Sequence, residues 1–426
     1  MVSTSLPRAA AVLTNADFYG TLAAARSLGR HGVPVTVAHD TRLGAASWSR
    51  FVNQAVRSPP TRSSRAFIEW LLELGAKQPG QVLYPASDDA AYLYASHRAE
   101  LSKHFRLYSP PLEAIYALLN KRKLYTEGQA AGLELPRTWF PESAKDLARI
   151  AREAATPLMI KPVTQVLFHS RRKGQLVSSA EGLEAEYRAF AAEPYERELV
   201  EHDPQVVQPM VQEFHPNAAQ SIYSLSGFLS QEGDWAMRGA IKVLQLPRKL
   251  GVGICFEDQS VEPRLAASLL TLCRRVGYYG VFEAEFICIG DQRLLIDFNP
   301  RFFGQLGFDL ARQLPLVILA YEAALGHTGE VARLLGEANK WAAPADAPPA
   351  FCHKNALQLL LRWQEVAGSM PSDEAGQWRQ WLKAHSAVDA VLDADDWKPA
   401  AVDSLNRLAG YARHPRAFVR SVVFNR

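Results

Sequence analysis

The sequence predicts a mixed α/β and α+β protein, and three features of the 426-residue chain carry that expectation. A β-α-β unit opens it, hairpins of β-branched and aromatic residues fill its middle, and helix-period apolar positions dominate its tail. With 48% hydrophobic residues and a formal charge of +3, the chain can bury a sizeable core divided over two or three domains. The near-neutral balance argues against a broad nucleic-acid surface. Cys255, Cys273, Cys288 and Cys352 are widely spaced in apolar contexts and match neither a zinc pattern nor a disulfide framework, which fits a reducing cytoplasm. No basic-then-apolar leader opens the chain, and no apolar run approaches the ~20 residues needed to span a bilayer.

Residues 9–14 read as a short apolar strand, 20–30 as an Ala- and Leu-rich helix and 33–39 as an alternating, β-branched strand. No G-x-G-x-x-G joins the first strand to the helix; Asn15-Ala16-Asp17-Phe18-Tyr19-Gly20 stands there, which argues against a dehydrogenase. A helix at 67–74 and a strand at 82–84 follow, leading into Pro85-Ala86-Ser87-Asp88-Asp89. Ligands of open α/β sheets bind beyond the carboxyl ends of strands, so Ser87 and Asp88 are candidate substrate contacts. Both are also helix-capping types, and a cap is the plainer role.

Asn120-Lys121-Arg122-Lys123 opens a helix reaching Ala131, ended by Gly132 and Pro136. In Pro157-Leu-Met-Ile-Lys161-Pro162, a short apolar strand delivers a flexible point charge suited to phosphate. No glycine occurs from Val163 to Lys173, and Arg171, Arg172 and Lys173 offer charge there, either to phosphate or only to solvent. A strand at 206–214 closes on His215-Pro216-Asn217, and a hairpin at 221–228 and 235–244 turns through Gln231-Glu232-Gly233-Asp234. Beyond Thr328 an Ala- and Pro-rich linker precedes a mostly helical tail, whose last residues suit a docking helix end better than a membrane anchor.

The most informative stretch is Gly280 to Gln305, two apolar runs about a turn at Gly290-Asp291-Gln292. Alternation puts Glu283, Glu285 and Ile287 on one face, and Leu295, Asp297 and Asn299 on one face of the return strand. With Asp291 at the tip, Glu285 lies opposite Asp297 and Glu283 opposite Asn299. Carboxylates directly opposed on one face call for a cation or a proton between them. Oxygen-only ligands suit Mg²⁺, which binds substrate phosphates with its remaining positions. Arg301, two residues past Asn299, offers a planar fork to phosphate or carboxylate.

Glu285 with Asp297-Phe298-Asn299-Pro300-Arg301 resembles the ATP-grasp superfamily. The resemblance implies Mg²⁺ (or Mn²⁺) on Glu285, Asp297 and Asn299, and ATP contacts from Lys121, Lys161 and Lys173. Gln212-Glu213-Phe214-His215-Pro216-Asn217 is similar to the family's adenine-side linker, which implies that role for Glu213, Phe214 and His215. The run from Lys242 to Gly253, including Arg248, resembles the D-aspartate ligase-like branch of carboxylate-amine ligases, as do Arg26-Ser-Leu-Gly29, Ser49-Arg50, Pro59-Pro60 and Leu83 to Asp88. The implied layout is a Rossmann-like domain over 1–115, an ATP-grasp domain of two α+β subdomains over 116–330, and a linker and mostly helical region over 331–426. The implied activity joins a carboxylate to an amine through an acyl phosphate, with Arg301 and Lys242 catalytic and Arg248 a substrate contact. A biotin-type carboxylase and a non-catalytic ATP-binding protein are the alternatives; the former lacks a Met-Lys-Met-like carrier segment here. Expected partners are small carboxylates and amines, and both a monomer and a homodimer remain open.

Overall fold

The computed structural model describes residues 8–170, 172–216, 222–246, 252–344 and 349–424. The first sheet is wholly parallel, β1 (Ala11–Leu13), β2 (Val35–His39), β3 (Gln54–Arg57), β4 (Gln81–Leu83) and β5 (Phe105–Leu107), in the order β3-β2-β1-β4-β5. Its central strands are buried throughout, as parallel strands covered on both faces must be. The order reverses between β1 and β4, so the loops leaving those two strands, 14–18 and 84–87, flank one crevice. Helix Tyr19–Arg30 follows the first loop and helix Asp88–Ser96 the second.

The second sheet is small: β6 (Thr138–Trp139), β7 (Leu158–Lys161), β8 (Gln175–Val177) and β9 (Met210–Glu213), ordered β6-β9-β7-β8 and antiparallel. Helices Ala144–Glu153 and Leu183–Ala191 cover it, burying Leu147, Ile150, Leu183 and Phe190 against Leu158, Ile160 and Val211. A reciprocal Ser143–Asp146 capping box starts the first of these helices. The strand expected over 206–214 is shorter: Val206 and Val207 lie in a 3₁₀ turn, because Pro204 opens it and the Asp203 carboxylate accepts from Gln205 N (3.1 Å).

The third sheet has seven strands: β10 (Ile222–Leu229), β11 (Trp235–Leu246), β12 (Val252–Gln259), β13 (Gly280–Ile289), β14 (Gln292–Asn299), β15 (Pro349–Cys352) and β16 (Ser386–Asp389). They run in the order β14-β13-β10-β11-β12-β15-β16. The C-terminal region is therefore not helical alone. Besides helices Lys354–Val366, Ser372–Ala384 and Lys398–Arg413 it supplies β15 and β16, which extend the sheet from β12. One apolar cluster runs from Val12, Phe67 and Leu83 of the first domain through Val166 and Leu167 to Phe282, Phe286 and Phe298 of the third sheet. No helix among the described residues is long and apolar enough to cross a membrane.

Candidate active site

The hairpin β13–β14 pairs Glu283 with Asn299 and Glu285 with Asp297, the expected pairs, although the turn is the two residues Gly290 and Asp291 with Ile289 opposite Gln292, a register that by itself would set Glu285 against Ile296. One expectation fails. The register shifts between Glu285 and Phe286, where Asp297 and Leu295 face successive residues and Ile296 is the extra one. This β-bulge turns Leu295 to the opposite face, where it is fully buried with Phe286 and Phe298. Ile296 instead joins Ile222, Ile287 and Leu294 on the face that carries the carboxylates.

Each acidic group on that face has a cationic or amide partner. Lys242 Nζ, from β11, lies 3.0 Å from Glu285 Oε1, and Lys121 Nζ contacts Asp297 Oδ1. Arg301 donates from Nη2 to Asn299 Oδ1 (2.7 Å) and from Nε to Asp88 Oδ1 (2.6 Å), tying the hairpin to the first domain. Buried Glu283 accepts from Asn299 Nδ2 (2.9 Å) and from Gln305 Nε2. Burial, with the charge of Glu285 second, raises the Glu283 carboxyl above its ordinary value. Desolvation would raise Asp297 as well, but Lys121 beside it holds that carboxyl below the usual range. Burial would lower the Lys242 ammonium, and Glu285 and its neighbours raise it instead.

Lys161 differs from this pattern. Its Nζ donates to the neutral Gln212 Oε1 (2.9 Å), and among the described residues no carboxylate lies in ion-pair range. Burial, with Lys121 nearby, pushes its ammonium down to about 8. Gln212 is itself buried, donating from Nε2 to Tyr125 Oη (3.1 Å) and Thr138 Oγ1 (3.0 Å), so the lysine end is held from behind.

Lys121, Lys161 and Lys173 line a cavity of about 460 Å³, together with Ser87, Asp88, Glu285, Asp297, Asn299 and Arg301. Ser87 also fulfils its plainer role, accepting from Ala90 N (3.2 Å) as a helix cap. Lys242 reaches the cluster through Glu285. Glu213, Phe214 and His215 follow at the end of β9 outside the cavity wall, to which β9 contributes Met210. His215 Nε2 is buried there without a hydrogen-bond partner among the described residues. Arg248 and Arg171 lie outside the described residues. Arg172 is used locally, pairing with Glu193 (3.2 Å) over the Phe190 ring.

The segment after β7 is packed. Leu167, in the left-handed region at φ 48°, donates its amide to Asp89 Oδ1 (2.7 Å), and Val163, Val166 and Leu167 are buried. Burial, then the charge of Asp88, raises the Asp89 carboxyl to about 6 even though the Leu167 amide opposes it. Gln212, Gln305, Tyr125, Asp89 and Phe18 were not singled out as site residues from the sequence; only proximity in the fold reveals them.

The chain matches no protein-family model and no curated protein sequence. Solved structures do match it. The biotin carboxylase domain of 2-oxoglutarate carboxylase from Hydrogenobacter thermophilus, solved with MgADP, ADP and bicarbonate, superposes with TM-score 0.58 at 14% identity, over 74% of this chain and 69% of that one. N5-carboxyaminoimidazole ribonucleotide synthetase from Thermus thermophilus gives 0.55 at 14% identity, over 74% and 78%. L-amino acid ligase from Bacillus licheniformis gives 0.52 at 14% identity, over 76% and 75%. The chain has the ATP-grasp fold. The small sheet contributes Lys161 and Met210 to the cavity wall, the long sheet Glu285, Asp297 and Asn299, and the loops after β1 and β4 of the parallel sheet Phe18 and Ser87.

Among the described residues no three His, Cys, Asp or Glu side chains converge as a metal cluster. The oxygen donors still fit a hard divalent cation. Glu285 and Asp297 face each other across neighbouring strands with Asn299 two residues on, and each of the three is bound by a positively charged side chain.

Proposed function

We propose that this ATP-grasp chain is a ligase that uses ATP and Mg²⁺ to join a carboxylate to an amine, releasing ADP and phosphate. The observation that carries the proposal is Lys161, a cation in the cavity wall backed by a neutral amide and lacking a carboxylate partner among the described residues. A charge so placed is costly unless an anion completes it. Lys121 and Lys173 line the same cavity, so a polyphosphate meets three lysines.

On this reading Glu285, Asp297 and Asn299 hold Mg²⁺, which would neutralise phosphate charge and orient the transferring group. Lys121 and Lys242 then exchange their carboxylate partners for phosphate oxygens. Glu213, Phe214 and His215 flank adenine at the end of β9, where His215 Nε2 lies without a hydrogen-bond partner among the described residues. A substrate carboxylate oxygen attacks the γ-phosphorus, and ADP leaves with the bonding electron pair. Lys161, Lys242 and Arg301 are the fixed positive groups for the charge that develops on the transferring oxygens. The amine nitrogen next attacks the acyl carbon, phosphate departs, and the nitrogen loses its proton. Arg301 steadies the tetrahedral oxyanion, and no side-chain nucleophile is required. Ser87 and Asp88, beside Arg301, contact the co-substrate, and Arg248 is a further proposed contact.

The test is ADP release by the purified chain with ATP and Mg²⁺ against a panel of amino acids and peptide acceptors. The proposal predicts release that depends on a carboxylate-amine pair and is abolished in Asp297→Ala. No release across the panel, or unchanged turnover in Asp297→Ala, would contradict it. Stimulation by bicarbonate alone would favour carboxylation instead.

A further inference from the structure

Phe18 and Trp48, before and after β2, are both exposed, at 41% and 49%, and of the two it is Phe18 that lines the cavity, with Ser87, Asp88 and Arg301. Its position is fixed from three sides. Its amide donates to Asn15 O (3.0 Å), Asn15 itself being in the left-handed region at φ 59° and accepting at Oδ1 from Ser87 Oγ (3.1 Å). Two residues on, Gly20 packs so tightly on the loop after Arg301 that an added Cβ would meet Phe303 O at 2.5 Å.

The third side is the C-terminal region. Tyr19 Oη donates to Asp403 Oδ1 (3.1 Å), accepts from Arg407 Nη2 and lies 3.1 Å from His353 Nε2. Arg407 Nε also binds Asp403 Oδ2 (3.0 Å), and the Tyr19 and His353 rings meet edge to face at 5.0 Å. His353 is 2% exposed and Asp403 8%. A polar cluster this enclosed holds one arrangement, since any shift leaves a buried donor or acceptor unmet. The residue peptide-bonded to this anchor is the one aromatic side chain presented to the cavity from the first domain.

An exposed aromatic ring costs apolar surface that stays in water, and a rigid one costs little entropy when a ligand covers it. Lys161 ends β7, Lys121 opens helix Lys121–Ala130 and Lys173 lies just before β8, whereas Phe18 stands in the loop after β1, joined to Ser87 through Asn15. We infer that Phe18 is the specificity-determining contact for an apolar group on the co-substrate, and that Tyr19 is a positioning residue through which the C-terminal helices set that contact. The inference rests on the ligase reading and adds a substrate class to it: carboxylates or amines bearing an aliphatic or aromatic side chain.

The experiment is ADP release by the full chain with ATP and Mg²⁺, using leucine and phenylalanine against serine and asparagine as probes. Wild-type protein prefers the apolar pair by about tenfold or more in kcat/KM, the discrimination an apolar pocket supports. Phe18→Ala removes the preference by lowering kcat/KM for the apolar probes alone, and Phe18→Met restores most of it. Tyr19→Phe raises KM for the apolar probes with kcat within about twofold, whereas a merely structural defect would lower kcat for all four. ADP release without an apolar preference, or a preference that survives Phe18→Ala, overturns this inference and leaves the ligase reading standing. Absence of probe-dependent ADP release from the wild type overturns both.

Discussion

At the scale of single residues, Lys161 separates a binding site from a structural ion-pair network. Lys121, Lys242 and Arg301 each have a carboxylate partner, whereas Lys161 has the Gln212 amide oxygen. Replacing Lys161 by Met is therefore expected to weaken ATP binding about 10- to 100-fold, the worth of one charge-assisted hydrogen bond, without lowering the melting temperature of the free protein. Calorimetric titration and thermal denaturation check the two halves; a large loss of stability with unchanged affinity would make Lys161 structural. Because burial pushes the free ammonium to about 8, it loses its proton above that pH while phosphate binding favours the charged form. Affinity for ATP should then fall as pH rises through about 8, by up to about tenfold per unit, and Lys161→Met should flatten that slope. Folding carries the opposite sign: the native state gives up this proton more readily than the unfolded chain, so stability from this group rises with pH between about 8 and the ordinary lysine value while ATP affinity falls.

At the scale of elements, the hairpin β13–β14 was legible because a two-residue side-chain period and a Gly-Asp turn fix which residues oppose one another. With Asp291 at the tip, that period opposes Glu285 to Asp297 and Glu283 to Asn299; Ile289 in fact pairs with Gln292, and the bulge at Ile296 restores the expected pairs. Nothing in the alternation of Leu294 to Asp297 announces that extra residue; burial of Leu295 against Phe286 and Phe298 decides it. Lys161 was legible as a strand end, but its support by Gln212 and Tyr125 depends on pairing between β7 and β9, which no local pattern specifies. The first domain's helix Tyr19–Arg30 is held to the hairpin's exit by Gly20, whose missing Cβ admits Phe303 O. Gly20→Ala must push backbone away from backbone there. The expected cost is about 1–3 kcal/mol of stability, with a raised KM for the co-substrate and nearly unchanged ATP affinity. Urea denaturation with steady-state kinetics measures both, and a wild-type result in each would mean that the two segments are not rigidly joined.

At the scale of the whole molecule, the C-terminal region is built into the protein rather than appended to it. β15 and β16 extend the third sheet, and Asp396 accepts from Arg26 Nε (2.8 Å), Ser49 Oγ (2.6 Å) and Arg50 N (2.8 Å), all in the first domain. The helical periods of this region were readable in the sequence. Its two short strands were not, because four residues apiece carry too little pattern to outweigh the helices around them. Asp396→Ala leaves the Arg26 charge buried and uncompensated, so a loss of about 3–5 kcal/mol is expected by urea denaturation. A loss below about 1 kcal/mol would show that the region docks weakly. The arrangement of three sheets around one cavity gives the site its meaning, and a crystal structure with a non-hydrolysable ATP analogue and Mg²⁺ tests it most directly. The account predicts the metal on Glu285, Asp297 and Asn299, with Lys161 against a phosphate and Lys121 and Lys242 released from their carboxylates. A nucleotide bound elsewhere, with those two lysine–carboxylate pairs intact, would contradict it.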